Sequence, residues 1–264
     1  MSKLNTLDQY YTNPAYAGFL CDKIKEIFGE EANYVEPSAG EGAFSSCFKN
    51  ITSFDIDPKF EDCIEADFLA QSVESVGSVT AFVGNPPFGK NASLAIKFFN
   101  HCAEMLDNEG GICFILPRTF QKIFFAHKLN PHMHLLYEEE CPKGSFILHG
   151  EPWDVPCVFQ IWIKRNEKRS PVVLGENRLF VLGNSKDYDI AVRRAGASAG
   201  KVLSEEDSLS ETSTYFLKAL TSDLKTRIIE AYPLLKAEAS KTAGVRSLSL
   251  KELQWVLENI RKEE

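Results

Sequence analysis

The strongest constraint on the fold is an alternation, over the first 165 residues, of short β-branched or aromatic runs with amphipathic helical stretches. This alternation is typical of a parallel sheet covered by helices. Thr12 or Asn13 can cap a helix that has Pro14 in its first turn, and Ser93 can cap another. The sequence therefore predicts an α/β domain over residues 1–165, with strands at residues 34–36, 51–55, 79–84, 111–116, 134–139 and 155–164.

The pattern changes after Arg165. Residues 164–171 are polar and charged and end in a proline, which is typical of a linker or a domain edge. Extended runs at 178–182 and 188–193 precede helical stretches near 222–236 and 249–261, and the last of these begins with a capping box formed by Ser249 and Glu252. We predict a second, smaller region over residues 166–264.

The charge is unevenly distributed. A net charge of −8 argues against a nucleic-acid partner at face value, but residues 1–150 carry −9 and residues 151–264 carry +1. Between Lys164 and Lys201, nine basic residues stand against four acidic ones. This basic segment could contact phosphates.

Other bulk features are those of an intracellular protein. No apolar run reaches the roughly 18 residues that span a bilayer, and the first residues lack a signal-peptide pattern. The seven cysteines stand singly, without the spacing of a zinc or redox pair, which favours reduced core residues. We expect a soluble, cytoplasmic protein without a metal or a membrane partner, either a monomer or a weak dimer.

A glycine-containing turn follows the first predicted strand. The turn spans residues 36–42 and precedes a predicted helix; its candidate ligand-binding residues are Glu36, Pro37, Ala39, Gly40 and Gly42. The glycines let backbone amides approach a ligand closely. A nucleotide-like cofactor suits such a turn. A nicotinamide cofactor is disfavoured because the third glycine of its fingerprint is replaced by Ser45. The alternative is an ordinary tight turn.

Two acidic positions follow in register. Asp55 and Ile56 end the second strand, where a carboxylate can bind a pair of ribose hydroxyls. Asp67 could accept a hydrogen bond from an adenine amine, with Phe68 lying along the ring. The alternative for either carboxylate is a solvated turn residue.

The most informative segment is Asn85-Pro86-Pro87-Phe88, at the end of a predicted strand. Two prolines stiffen the loop, so the Asn85 side-chain oxygen and the next carbonyl can face one point as two acceptors. A planar amine placed there would donate both hydrogens and direct its lone pair at an electrophile, while Phe88 stacks on it. The alternative is a proline-rich turn with a buried aromatic ring.

These motifs, in this order, resemble those of the amino-methyltransferases that act on adenine N6 or cytosine N4, in particular the gamma class of DNA adenine methyltransferases. The resemblance covers about residues 8–165. It implies a Rossmann-like, seven-stranded methyltransferase sheet and S-adenosylmethionine as cofactor. In a segment that begins at Gln9, Thr12 would help hold the amino-acid end of the cofactor. The Glu36–Gly42 turn, Asp55 with Ile56, and the pair Asp67 and Phe68 would bind its remainder. Asn85 to Phe88 would be catalytic, and Asn85 would also contact the cofactor.

Further substrate contacts are expected outside these motifs. Phe146 could be a second aromatic residue that sandwiches a flipped base, although a core position is an equal alternative. Arg193, Arg194 and Lys201 flank a Gly/Ala/Ser loop that could contact phosphates, and a plain solvated loop is the alternative.

Several functions remain open at this stage. Methylation of adenine N6 in DNA is the leading hypothesis, and RNA is the main rival substrate. A protein glutamine methyltransferase usually has Tyr where this chain has Phe88. A non-catalytic cofactor-binding subunit leaves the intact Asn85 loop without a purpose, and a nicotinamide oxidoreductase leaves it unexplained.

Overall fold

The computed structural model describes residues 10–260, so Gln9 lies outside the described residues. The chain forms two compact units. Unit 1 comprises the residues up to Phe120 together with Phe125–Ser170, and unit 2 comprises Gln121–Phe124 together with the chain from Pro171 onward. The division falls five residues later than Arg165, and a short segment of the first half belongs to the second unit.

The helices and strands follow the chain in this order. Unit 1 contains β1 (Tyr11–Thr12), α1 (Pro14–Phe28), β2 (Tyr34–Glu36), β3 (Ile51–Asp55), β4 (Cys63–Glu65), α2 (Val73–Val76), β5 (Ala81–Gly84), α3 (Ser93–Met105), β6 (Gly111–Pro117), β7 (Met133–Glu140), β8 (Phe146–Leu148), β9 (Glu151–Trp153) and β10 (Cys157–Lys164). Unit 2 contains β11 (Phe180–Leu182), β12 (Ile190–Arg193), β13 (Thr214–Ala219), α4 (Leu224–Glu230), α5 (Tyr232–Ser240) and α6 (Leu250–Asn259).

Unit 1 is built on a seven-stranded mixed sheet with the order β4-β3-β2-β5-β6-β10-β7. The strands β4, β3, β2, β5 and β6 are parallel, and β10 runs antiparallel to both of its neighbours. This is the Rossmann order with one antiparallel strand inserted before the edge. The prediction of a Rossmann-like, seven-stranded sheet is confirmed.

The sheet is buried on both faces. Along β6, Ile112 and Phe114 join one hydrophobic cluster with Phe99 of α3, whereas Cys113 and Ile115 join another with α1. Successive side chains of a strand point to opposite faces, so a strand covered on both sides is apolar throughout. All seven residues of β6 are accordingly buried.

The helix starts were predicted in part. The Asn13 side chain accepts a hydrogen bond from the Ala15 backbone and caps α1, as expected. Ser93, in contrast, is the first residue of α3 rather than its cap. The preceding Ala92 adopts a left-handed conformation with φ 61°, and the carbonyl of Phe88 accepts from the Leu94 and Ala95 amides instead.

A second, three-stranded sheet in unit 1 has the order β1-β8-β9. Thr12 pairs with Phe146, and Phe146 pairs with Trp153 on its other side. A backbone bond from Asn13 N to the Ser145 oxygen, at 2.9 Å, continues the pairing beyond β1. The strand that precedes α1 is thereby tied to a hairpin far along the chain.

Unit 2 packs a three-stranded antiparallel sheet, in the order β11-β13-β12, with helices α4 to α6. Its core takes in the segment Gln121–Phe124. Lys122 Nζ lies 2.9 Å from Glu252 Oε2 and donates to the Ser247 oxygen at 2.8 Å, while Ile123 N donates to Glu238 Oε1 at 3.1 Å. Both carboxylates are buried. This segment thus supplies the partners of two acidic groups inside unit 2.

The described residues also bear on the predictions about membrane spans and cysteines. Across residues 10–260, every helix is too short or too polar to cross a membrane. All seven cysteines lie within this range and are unpaired thiols; five are buried, and Cys47 and Cys141 are partly exposed.

Candidate active site

A cavity of about 340 Å³ lies at the carboxyl ends of the parallel strands of unit 1. It falls where the strand order reverses, between β2 and β5, which is where open α/β sheets bind ligands. Its volume is in the range of small-molecule sites. Most of the predicted site residues line it: Thr12, Glu36, Pro37, Ala39, Gly40, Asp55, Ile56, Asp67, Phe68, Asn85, Pro86, Pro87 and Phe88.

The glycine turn after β2 forms one wall of the cavity. Gly40 has a φ of 53° and Gly42 a φ of 80°, both in the left-handed region that favours glycine. A Cβ on Gly40 would lie 3.2 Å from the Tyr11 ring, and one on Gly42 would lie 3.0 Å from the Phe60 ring. Gly42 itself does not line the cavity, so its role is to let the turn form.

Both predicted carboxylates are fixed by backbone amides. Asp55 Oδ2 accepts from Gly40 N at 2.8 Å, and its Oδ1 accepts from Asp57 N at 2.9 Å. Asp67 Oδ1 accepts from Leu69 N at 3.0 Å and so caps a short turn of 3₁₀ helix. These bonds fix the orientation of both carboxylates. Each carboxylate oxygen has a second acceptor site, so both groups can still accept hydrogen bonds from a ligand.

Glu36 is the buried acid of the site. It is 2% exposed, and burial raises the pKa of its carboxyl group to about 8, against the lowering effect of hydrogen bonds from Ser45. The Ser45 hydroxyl donates to Glu36 Oε2 and lies 2.7 Å from the Ser53 hydroxyl. Ser45, noted in the sequence only as a missing glycine, therefore serves as the partner of this carboxyl group.

Replacing Glu36 with Gln should remove a pH dependence of stability. The pKa of Glu36 is higher in the folded chain than in the unfolded chain, so the protonated carboxyl group favours the folded state. This stabilisation is complete below pH 4.5 and is lost as the pH rises to about 8. We expect the difference in free energy of unfolding between wild type and Glu36→Gln to fall by about 1 kcal/mol from pH 6 to pH 7. Urea unfolding at both pH values measures this, with the exposed Glu104→Gln as control. A difference that does not change with pH would contradict the prediction.

The Asn85 loop lines the cavity next to the glycine turn: the Ser38 hydroxyl donates to the Asn85 main-chain oxygen at 3.5 Å. It leaves β5 at Gly84, which has a φ of 130° and where a Cβ would lie 3.2 Å from the Glu36 side chain, so a larger residue is excluded. Asn85 Nδ2 donates to the Tyr10 carbonyl at 3.0 Å, whereas Asn85 Oδ1 is buried and has no hydrogen-bond partner within residues 10–260. Phe88 is half-buried beside it. An acceptor in this state indicates a place for a donor from a ligand.

Other predicted residues lie elsewhere or are less accessible. Phe146 does not line the cavity: it is 1% exposed and packs in the core, because its strand β8 is paired on both sides. The structure thus places it in the core, the alternative given for it above. Phe68 reaches the cavity wall but is also 1% exposed, and its ring packs among Phe54, Phe82 and Phe98.

The predicted phosphate contacts belong to unit 2 and have partners there. Arg193 donates to the Ser213 hydroxyl at 3.1 Å and to the Ser208 carbonyl at 2.9 Å. The Arg194 guanidinium lies 5.4 Å from the centre of the Tyr215 ring, and Lys201 Nζ lies 3.7 Å from an Asp207 oxygen.

Sequence reasoning missed several residues of the cavity. Tyr10, Tyr11 and Ser38 line it, as do Leu94 and Phe98 of α3. Tyr10 and Tyr11 directly precede Thr12, so their proximity to it was a usable signal. Leu94 and Phe98 lie on α3, and their apolar helical spacing does not distinguish a face in the core from one that also lines a cavity.

No family model matches the chain, and no curated protein matches it. Among solved structures, it is similar to a proposed class I S-adenosylmethionine-dependent methyltransferase from Listeria monocytogenes, with 11% identity and a TM-score of 0.49 over 61% of this chain and 63% of that one. The M protein of the type I restriction enzyme EcoKI is similar at 16% identity and a TM-score of 0.47, over 61% and 45% of the two chains. The chain therefore covers less than two thirds of the length of either protein.

A proposed RNA methyltransferase from Pyrococcus horikoshii is also similar, with 18% identity and a TM-score of 0.47 over 60% of this chain and 88% of that one.

Proposed function

We propose that the chain is an S-adenosylmethionine-dependent methyltransferase that methylates the exocyclic N6 of adenine in DNA. The observation that carries the proposal is the buried Asn85 Oδ1 acceptor, which lacks a partner within the described residues and lines a cavity at the switch point of the sheet. Phe88 adds a flat apolar surface at the same place. Together they suit a planar amine that donates hydrogen bonds.

The cavity suits S-adenosylmethionine in the chemistry of its donor set. Asp55 presents an oriented carboxylate for ribose hydroxyls, and Asp67 presents one for an adenine amine. Thr12 and Glu36 offer polar groups on another part of the wall, where the amino-acid end of the cofactor would bind. When bound, this cofactor supplies an electrophilic methyl group.

The chain's own contribution to the reaction would be positioning. Asn85 Oδ1 and the Pro86 carbonyl accept the two amine hydrogens, so the nitrogen lone pair is turned out of conjugation with the ring. Phe88 holds the plane of the base by stacking, which requires the base to leave its helix first. The surplus proton of the methylated amine passes to solvent, since the amine is acidified by the new bond.

Arg193, Arg194 and Lys201 remain our candidates for phosphate contacts. Each has a partner within unit 2, so binding phosphate would exchange one polar contact for another. RNA is the second candidate substrate, because the planar amine that Asn85 and Phe88 suit is the same group in an adenine of RNA.

Incubation with radiolabelled cofactor and separate pools of duplex DNA, single-stranded DNA, RNA and peptides tests the proposal. We expect label in DNA, recovered after digestion as N6-methyladenine. Label confined to RNA would move the substrate to the second candidate. Label confined to peptide would refute the nucleic-acid assignment.

Replacing Asp55 with Ala should weaken cofactor binding. The change removes the proposed ribose ligand and also the acceptor that holds Gly40 N. A hydrogen bond to a charged group contributes about 1.5–3 kcal/mol, so we expect the dissociation constant to rise about 10- to 100-fold in calorimetry. Asp62→Ala, at an exposed position away from the cavity, is the matched control. Equal dissociation constants for the two variants would show the ribose assignment to be wrong.

A further inference from the structure

The Asn85 side chain is held at one end only. Its Nδ2 donates to the Tyr10 main-chain oxygen at 3.0 Å, and its Oδ1 has no partner within residues 10–260. A backbone carbonyl accepts hydrogen bonds and cannot donate them, so the group that faces Tyr10 must be the NH₂ of the amide. The orientation of the amide is therefore fixed by Tyr10, and Oδ1 is turned away from it.

Tyr10 does not belong to the Asn85 loop. It directly precedes β1, whose residues Tyr11 and Thr12 pair with Ile147 and Phe146 of β8. Beyond β1, Asn13 N donates to the Ser145 oxygen at 2.9 Å, and Asn13 Nδ2 donates to the Gly144 oxygen at 3.3 Å. The main chain at Tyr10 is thus held by the residues that directly follow it, which pair with β8.

We propose that the main-chain carbonyl of Tyr10 is the positioning group for the Asn85 amide, and that the β1-β8-β9 sheet holds this carbonyl in place. The proposal rests on the function proposed above, in which Asn85 Oδ1 accepts a hydrogen from the amine. It assigns the β1-β8-β9 sheet a part in the reaction. The Asn85 amide has two orientations that differ by a half-turn, and the sheet keeps the one in which Oδ1 faces the amine.

This arrangement makes Asp a poor replacement for Asn85. An ionised Asp keeps the acceptor that the amine needs, but it presents a second negative oxygen to the Tyr10 carbonyl and is repelled by it. A protonated Asp can donate to Tyr10 and accept from the amine at once. If Tyr10 had no part in positioning, the acceptor alone would suffice and the ionised Asp would work.

The pH profile of Asn85→Asp is the first test. At alkaline pH we expect kcat to be reduced about 100-fold relative to wild type at the same pH, as for a misplaced catalytic group, and to recover as the pH falls and the carboxyl group is protonated. A kcat that equals the wild-type value at every pH from about 6 to about 10 would overturn the positioning proposal, because a buried carboxyl group with a raised pKa is ionised at the upper end of this range. Asn85→Ala tests the proposed function separately from the positioning role of Tyr10: if this variant keeps its methyl-transfer activity, the proposed function itself fails.

A second test acts on the sheet rather than on Asn85. Antiparallel partners alternate between bonded and non-bonded pairs, and Asn13 with Ser145 is a bonded pair, so Ile147 N is placed to donate to Tyr11. Ile147→Pro removes that donor, and Ile147→Ala is the matched control that keeps it. Thr12, a proposed cofactor ligand, lies in the same strand, so kcat is measured with saturating cofactor. We expect it to fall about tenfold or more in Ile147→Pro.

A readout without substrate or cofactor completes the experiment. The side-chain amide protons of Asn85 are identified in the ¹⁵N spectrum by their loss in Asn85→Ala. We expect the proton bonded to Tyr10 to exchange slowly with solvent in wild type and Ile147→Ala, and faster in Ile147→Pro. Equal exchange and equal kcat in the two Ile147 variants would overturn the proposal. If Ile147→Pro does not fold, the pH profile of Asn85→Asp decides alone.

Discussion

Asn85→Ala is expected to lose methyl transfer by about 100- to 1,000-fold while binding the cofactor with a dissociation constant within about threefold of wild type. The variant removes an acceptor that is buried, preorganised and without a partner within the described residues. Groups of this kind contribute mainly in the transition state, since they cost no reorganisation during the reaction. The proposed cofactor ligands Asp55 and Asp67 and the glycine turn are left in place by this change.

Transfer is measured with labelled cofactor and the best substrate pool, and binding by calorimetry. Asn108→Ala, at an exposed position outside the cavity, controls for a general effect of replacing Asn with Ala. Turnover within about tenfold of wild type would show that Asn85 does not act on the amine, because that loss is smaller than the one expected for such an acceptor.

Lys122→Ala is expected to destabilise unit 2 by about 3–5 kcal/mol, the usual cost of leaving one partner of a buried ion pair behind. The side chains of Lys122 and Glu252 are 11% and 7% exposed, and Lys122 Nζ also holds the Ser247 carbonyl. Without Lys122, Glu252 is left in the interior, and within residues 10–260 the Ser249 amide is its remaining donor. The free energy of unfolding of unit 2 should fall accordingly.

The measurement can be confined to unit 2. Trp255 belongs to α6, and the other two tryptophans, Trp153 and Trp162, belong to unit 1, so a Trp153→Phe, Trp162→Phe background makes fluorescence report unit 2 during urea unfolding. Lys49→Ala is the control for an exposed pair: Lys49 and Glu31 are 68% and 72% exposed, and the loss there should stay below about 1 kcal/mol. A similarly small loss for Lys122→Ala would contradict the prediction.

Local patterns predicted most of the central sheet. The bounds of β2 and β3 agree with the predicted ones, because a buried apolar run between turn residues is a local signal. The short edge strand β4 escaped prediction: two of its three residues are exposed, so no periodicity marks it. The predicted helix at 222–236 is two helices, since Pro233 lies in the first turn of α5, where a proline starts a helix.

The site was predicted less completely than the sheet. Residues that follow parallel strands meet at one edge by topology, so Gly40, Asp55 and Asn85 could be brought together from the sequence. The partners of Glu36 and Asn85 could not, because the contacts of Ser45 and Tyr10 depend on side-chain geometry and on strand register. Phe146 could not be assigned to the substrate or to the core for the same reason: its strand pairs with β1, far away in the chain, and its side chain packs in a cluster with residues of α1.

Unit 2 is formed by two separate segments of the chain, so its parts leave the ribosome at different times. Lys122 and Glu252 are separated by 130 positions, so at roughly 5–20 residues per second the ribosome adds the partner of Lys122 about 6 to 26 seconds after Lys122 itself. The two acceptors of Lys122, the Ser247 oxygen and Glu252, are made only at the end of that interval, and until then unit 2 cannot complete its core. Contacts between such distant positions slow folding, because a long loop must be ordered first. Nascent chains stalled before Glu252 should therefore hold unit 2 open to proteases.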